Sequence, residues 1–344
     1  MTQPPRTAQS APMSPSTPTT RPARIAAVGA GRMGRGIAIA FAWGGYAVDL
    51  IDFKARSDSG WLRLSGDALA DIRASLATMA ELGAMPPDAL ERVLGRIRLV
   101  RESDAAGALA AADVVFEGVP ETLEAKRDAF ARLCRLVAPH TILASTTSTI
   151  LVTDLVPMAT HPERLINAHW LNPAWVIPLV ELSRHDGTDP AVTARLTALL
   201  EDIGKVPVVC GPAPGYIVPR LQALVMNEAA RMVEEGVATP EEIDKATRYG
   251  MGLRFAAIGV VEFIDFGGND ILYHASRYLS DNVSRERFTA PAIVDRLMHE
   301  GRIGVKTGSG FYDYRGRDLA AYRKDVLSRT LGMLRHAGLQ RPPR

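Results

Sequence analysis

From residue 24 onward, short apolar runs alternate with stretches in which apolar residues recur at helical spacing. Residues 24–28 form the first such run; they end in glycines and lead into a helical pattern over 33–43. Residues 46–51, 113–116, 141–144, 165–168, 179–182 and 206–209 also read as strands, with helices predicted at 61–82, 121–137 and 191–203. In the second of these helices Leu123, Phe130, Leu133 and Val137 share one stripe, as a helix packed on a sheet requires. The alternation predicts an α/β fold, a Rossmann-type doubly wound and mostly parallel sheet with helices on both faces. At Gly211-Pro212-Ala213-Pro214-Gly215 the pattern breaks. Beyond it, 216–235 and 240–249 read as helices, with Thr239 placed to cap the one that Pro240 begins, and no strand ladder follows. The expected layout is a sheet domain over 24–210 and an all-helical domain over 211–344, preceded at 1–23 by a disordered tail rich in Pro, Ser and Thr.

Composition narrows the class of protein. The chain of 344 residues is long enough for two domains, and its formal charge of +2 offers no electrostatic footprint for nucleic acid or an anionic membrane. Cys134 and Cys210 are too few for a disulfide framework or a cysteine zinc site, and no metal is expected. No apolar run is long enough to cross a bilayer and the tail lacks the core of a secretory signal, so a cytoplasmic location is expected.

Two stretches carry chemistry. Gly29-Ala30-Gly31-Arg32-Met33-Gly34 lies between a predicted strand and a predicted helix. There its glycines let the backbone turn and approach a pyrophosphate at the helix N-terminus. The next strand ends in Asp52, at the spacing of an acid that holds the adenosine ribose hydroxyls, whereas a glycine turn alone carries little weight. A carboxylate there repels a 2′-phosphate and favours NAD over NADP, although Lys54 and Arg56 are near enough to pair with a phosphate. The second stretch is His169-Trp170-Leu171-Asn172-Pro173, followed by Glu181 at the end of the next apolar run. An imidazole at a strand end suits proton transfer near neutral pH, and a carboxylate on an adjacent strand would fix its tautomer. Spacing alone favours a buried histidine bonded to backbone.

These motifs, in this order, resemble the 3-hydroxyacyl-CoA dehydrogenase family. The resemblance extends through Phe116-Glu117-Gly118-Val119-Pro120-Glu121, Ala144-Ser145-Thr146-Thr147-Ser148, Pro214-Gly215-Tyr216-Ile217-Val218 and Lys306-Thr307-Gly308-Ser309-Gly310-Phe311-Tyr312, covering nearly everything from Arg24 to Tyr314. It implies that His169 is the base removing the hydroxyl proton as hydride passes to NAD, with Glu181 orienting it. Ser148 and Asn172 match positions that contact the substrate oxygens and the nicotinamide end. Glu121, Lys126 and Lys306 match cofactor contacts, alongside the glycine loop and Asp52. The family also implies a homodimer through the C-terminal domain, whose expected apolar surface includes Ile217, Leu221, Leu224, Val225 and Val233.

The chain departs from the family pattern in places. Pro219 and then Arg220 follow the Gly-Tyr-Ile-Val run where the family has an asparagine, and proline supplies no side-chain amide. Trp170-Leu171 replaces an aromatic pair, Trp175 stands where a smaller residue is common, and 52–82 lacks a clear match to the serine and lysine used on coenzyme A. The expected reaction is NAD-dependent oxidation of a short 3-hydroxyacyl-CoA of the 3-hydroxybutyryl type. The alternatives are the same chemistry on a free polar hydroxy acid of carnitine, gulonate or pyridine-carboxylate type, with Arg220 on its carboxylate, and a non-catalytic NAD-binding structural protein.

Overall fold

The computed structural model describes residues 23–341 and residue 343. The expected tail lies, but for Ala23, outside the described residues. The described chain parts into two compact units, one ending at Val225 and one running from Met226.

In the first unit, β1 (Ile25–Val28), α1 (Arg32–Trp43), β2 (Val48–Ile51), α2 (Asp58–Glu81), α3 (Ala89–Leu94), β3 (Ile97–Val100), α4 (Ala105–Ala110), β4 (Val114–Glu117), α5 (Leu123–Leu136) and β5 (Ile142–Ser145) follow one another. Then come α6 (Val152–Leu155), β6 (Leu165–Trp170), β7 (Leu179–Ser183), α7 (Pro190–Asp202), β8 (Val206–Cys210) and the start of α8 (Val218–Glu234), within which the two units divide. One eight-stranded sheet runs in the order β3-β2-β1-β4-β5-β6-β7-β8. Its strands are parallel from β3 to β6; β7 turns antiparallel to β6, and β8 runs parallel to β7.

Both faces of this sheet are covered, which is why its strands read as continuous apolar runs. Ile25 and Ala27 of β1 point into one core with Ile37, Phe41, Ile72 and Leu200, while Ala26 and Val28 enter the other with Phe130, Leu133 and Leu155. Local chemistry sets the helix starts. Ser57 accepts the Gly60 N–H and Thr122 accepts the Ala125 N–H, so α2 and α5 begin on side-chain caps.

The second unit is helical. After α9 (Pro240–Ala246), which Thr239 caps through the Glu242 N–H, come α10 (Leu253–Ala257), α11 (Val260–Gly267), α12 (Asn269–Asn282), α13 (Arg285–Phe288), α14 (Ala292–His299) and α15 (Leu319–His336). Between α14 and α15 the Lys306–Tyr312 motif wraps the buried Asp265 of α11. The carboxylate accepts the Phe311 and Tyr312 N–H groups at 3.0 and 2.8 Å. Gly304 (φ 109°) and Gly310 pass so close to Asp265 that a Cβ on either would overlap it, which accounts for the glycines there.

Candidate active site

The carboxyl ends of the parallel strands form the edge on which the sequence motifs converge, the usual ligand edge of an open α/β sheet. A cavity of about 520 Å³ opens there, lined by Gly29, Gly31, Asp52, Phe53, Val119 and Ala125 among others. Gly29 has φ 102°, and a Cβ on it would lie 2.5 Å from the Gly118 carbonyl oxygen; a Cβ on Gly34 would lie 2.0 Å from the Gly29 oxygen. Gly31, by contrast, has open space where its Cβ would be. Two glycines thus let helix and strands pack, and the third clears room for a ligand. No side chain caps the N-terminus of α1 and its first turn carries no acid, so its amide groups face the crevice unanswered by protein carboxylates. With the buried Asp52 ending the neighbouring strand, these residues fit the pyrophosphate and adenosine ribose of NAD. Arg32 is exposed beside the loop, and Met33 packs partly into the core.

His169 and Glu181 sit opposite each other in the antiparallel β6–β7 ladder. Opposed residues in such a pair point to the same side of the sheet, and the His169 Nδ1 to Glu181 Oε2 distance is 2.8 Å. Glu181 is fully buried, and its other oxygen accepts the Ile217 and Val218 N–H groups at 2.9 and 2.8 Å. A carboxylate only accepts hydrogen bonds, so the imidazole proton resides on Nδ1 and Nε2 keeps its lone pair. Nε2 has no partner among the described residues. Pro219, lacking an N–H, stands in the first turn of α8 where none is needed, just after the two amides that clamp Glu181.

Tyr216 completes this arrangement, and nothing in the apolar pattern announced it. Its ring stacks on His169 with centroids 4.9 Å apart and an interplanar angle of 10°. Its hydroxyl donates to the Thr147 carbonyl at 2.8 Å and accepts from the Asn167 amide at 3.1 Å. Burial, together with the Glu121 and Glu181 charges, raises the pKa of this phenol far above its usual range, so it remains a neutral donor. Tyr216 is the sole non-glycine residue with positive φ among the described residues, at 46°, directly after Gly215.

Ser148 and Asn172 lie in the exposed loops that leave β5 and β6, neighbouring strands on the same sheet edge as His169. Glu121 organises the Ser148 loop, accepting the Ser148 and Thr149 N–H groups at 2.8 and 2.9 Å and the Thr147 hydroxyl. Partial burial pushes the Glu121 pKa upward, but the donors from Thr147 and Thr149 and the charge of Lys126 outweigh it and hold the carboxyl below its usual range.

Lys126 is placed differently from a cofactor contact on a helix surface. It is fully buried, with Nζ 3.0 Å from Glu117 Oε2 and 3.3 Å from Ser145 Oγ, and it faces Glu121 at 3.7 Å. Its charge acts behind the site, bracing the ends of β4 and β5. Lys205 is another buried cation that the sequence left unmarked. It donates to the Ala174 and Ile177 carbonyls at 2.7 and 2.9 Å and so holds the loop that follows Asn172, and burial lowers its pKa. Lys306, in the second unit, pairs with Asp270 at 3.0 Å. Among the described residues no group of three or more His, Cys, Asp or Glu side chains is placed to hold a metal, and no helix is long and apolar enough to cross a membrane.

A nucleotide crevice and an imidazole with a free lone pair, on one edge of a doubly wound sheet, belong to the architecture of NAD-dependent oxidoreductases. Residues 24–213 match the family described as 3-hydroxyacyl-CoA dehydrogenase, NAD binding domain, and 215–314 match its C-terminal domain. The chain is a member of the 3-hydroxyacyl-CoA dehydrogenase family. It is 34% identical over 290 residues to 3-hydroxybutyryl-CoA dehydrogenase of Bradyrhizobium diazoefficiens, covering 84% of this chain and 94% of that protein. It is 31% identical over 293 residues to 5-formyl-3-hydroxy-2-methylpyridine 4-carboxylate 5-dehydrogenase of Mesorhizobium japonicum, covering 83% and 89%. With 3-hydroxyadipyl-CoA dehydrogenase of Escherichia coli it shares 35% identity over 302 residues; the match takes in 88% of this chain and spans 61% of that longer relative. A crystal structure of 3-hydroxyacyl-CoA dehydrogenase from Archaeoglobus fulgidus superposes with a TM-score of 0.72 at 31% identity, covering 92% of this chain and 100% of the other. The family, the fold and NAD thus agree with the motif reading, while the relatives' named substrates differ from one another.

Proposed function

We propose that this protein oxidises the hydroxyl of a short 3-hydroxyacyl-CoA, of the 3-hydroxybutyryl type, to the 3-oxoacyl thioester. The observation that carries the chemistry is the His169–Glu181 bond, which leaves Nε2 as the only free ring nitrogen. Bound NAD supplies the hydride acceptor. His169 takes the hydroxyl proton on Nε2, and the resulting imidazolium is stabilised by the Glu181 carboxylate beneath it and the Tyr216 face beside it. Ser148 and Asn172 orient the substrate oxygens, and the glycine loop with Asp52 holds the cofactor while Glu121 shapes its rim. The pair is intact, which favours an enzyme over a structural NAD-binding protein.

The thioester handle draws its support from the relatives named for CoA substrates. A second reading, a free hydroxy carboxylate, is favoured by Arg220, an exposed guanidinium on the first turn of α8 with no ionic partner among the described residues. Paired assays of NADH formation with 3-hydroxybutyryl-CoA, carnitine, gulonate, 3-hydroxybutyrate and a hydroxymethyl pyridine carboxylate decide between them. The expected outcome is a preference for the thioester of about a hundredfold in kcat/KM, roughly 2.7 kcal/mol. Turnover should vanish in His169→Ala while NAD still binds. A reversed preference favours the second reading, and silence with all five compounds overturns both.

We further propose a homodimer and a cytoplasmic setting. Within one chain α8 has no buried residue, and Leu224 and Met226 are 62% and 67% exposed, an apolar surface that a second copy would cover. Cys134 and Cys210 are free thiols, which suits a reducing compartment.

A further inference from the structure

Next to the cofactor cavity lies a second recess of about 130 Å³, which shares Asp52, Lys54 and Arg56 with it and is closed by Trp61, Arg101 and Glu102. It begins at the carboxylate expected to hold the adenosine ribose, and it has room for several water molecules. Its charges are already matched in a particular way. Arg56 lies on the Asp52 carboxylate, with Nε and a terminal nitrogen both directed at it. Arg101 pairs with Asp58 at 2.7 Å and donates to the Arg56 carbonyl at 3.2 Å, while Glu102 accepts from Arg132 at 2.7 Å. Lys54 is exposed at the junction of the two cavities and has no ionic partner among the described residues. Every anion facing the recess therefore has its own cation, and one ammonium is left over.

A bare carboxylate at this strand end excludes a 2′-phosphate by repulsion. Here the carboxylate is masked by a guanidinium, with two more cations around a space of the right size. We propose that the recess is a 2′-phosphate subsite, so that the chain binds NADP as well as NAD. Lys54, Arg56 and Arg101 would be the partners of the phosphate, and Asp52 the residue that keeps NAD preferred. A phosphate there shares Arg56 with Asp52, which weakens the ion pair and leaves NADP the weaker ligand; removing the Asp52 charge should free Arg56 for the phosphate. The proposal rests on the NAD site and not on the identity of the hydroxy substrate.

Calorimetric titration of the full chain with adenosine 2′,5′-bisphosphate, adenosine 3′,5′-bisphosphate and 5′-AMP tests this without any turnover, so a wrong substrate assignment leaves the result readable. The natural chain should bind the 2′,5′-bisphosphate less tightly than 5′-AMP but more tightly than the 3′,5′-bisphosphate, and Asp52→Asn should reverse the first order. Arg101→Ala should weaken the 2′,5′-bisphosphate about tenfold and leave 5′-AMP unchanged, and Asp52→Asn should tighten the 2′,5′-bisphosphate about tenfold. The idea is overturned if the 2′,5′-bisphosphate binds no better than 5′-AMP to both the natural chain and Asp52→Asn. Equal affinities for the two bisphosphates, or indifference to Arg101→Ala, overturn it as well.

Discussion

Exchanging Glu181 for glutamine changes almost nothing in shape and, by the geometry of the site, nearly everything in catalysis. One carboxylate oxygen accepts two backbone N–H groups, at 2.9 and 2.8 Å, and the other accepts His169 Nδ1 at 2.8 Å. A glutamine has one accepting oxygen and one donating NH₂ group. The backbone donors of Ile217 and Val218 cannot turn away, so the oxygen must serve them and the NH₂ must face Nδ1. Two donors then confront each other unless the imidazole moves its proton to Nε2, which removes the lone pair proposed to act as base. The same carboxylate-to-amide exchange in a Ser-His-Asp triad costs about 10⁴ in kcat, so a fall of about 10³–10⁴ is expected here, roughly 4–5.5 kcal/mol of barrier. Because both backbone bonds survive, stability should fall by only about 1–3 kcal/mol. NAD affinity should hold, since Glu181 is not among the residues lining the cofactor cavity. The assay is NADH formation with the best hydroxy substrate, alongside thermal melting and an NAD titration. A folded, NAD-binding Glu181→Gln protein that keeps more than a tenth of the natural rate would refute the tautomer argument.

Further expectations follow from the same geometry. Lys126→Met strands the buried Glu117 carboxylate and should cost about 3–5 kcal/mol in denaturant unfolding, whereas an unchanged midpoint would mean that the buried pair is not what braces the strand ends. Glu121 has a folded pKa below its ordinary 4.5, so the unfolded chain takes up its proton first as pH falls. Its stabilising contribution is complete above 4.5 and is lost as pH drops through the lower folded value. The stability gap between the natural chain and Glu121→Gln should therefore narrow as pH falls below 4.5 in urea titrations, and a pH-independent gap would contradict this. Leu224→Glu places a charge on the exposed apolar side of α8 and should convert a dimer into monomers by light scattering; a natural chain that is already monomeric would sink the dimer proposal.

Much of the site-bearing unit was legible because two-sided burial writes parallel strands as plain apolar runs. β3 was not, since Arg98 interrupts its four residues; the strand lies at the sheet edge and its arginine reaches out to Asp49 at 2.7 Å. The proposed catalytic pair was legible as two run ends, but not as ladder partners, because direction and register of β6 and β7 are tertiary facts. Lys126 was legible only as a match to a cofactor contact: its partner Glu117 lies nine residues earlier, on the preceding strand, and only folding encloses them together. Tyr216 was legible only as the start of a predicted helix and as part of the Pro214–Val218 motif; the helix begins at Val218. Only the left-handed backbone after Gly215 turns its ring onto the imidazole and its hydroxyl onto the Thr147 carbonyl. The Lys306 motif was visible as a string of glycines, whereas the reason for them, a backbone threading past buried Asp265, was not.

The opposed placement of His169 and Glu181 has an evolutionary corollary. Side chains alternate between faces along a strand, so gaining or losing one residue between Leu165 and Ala168 would swing the imidazole to the far face and silence the enzyme at a stroke. Strand length is therefore constrained here, and so is the intervening loop, residues 171–178, whose Ala174 and Ile177 carbonyls Lys205 holds. Diversification toward new alcohols should be recorded in the two strands and in this loop as substitutions rather than as insertions or deletions.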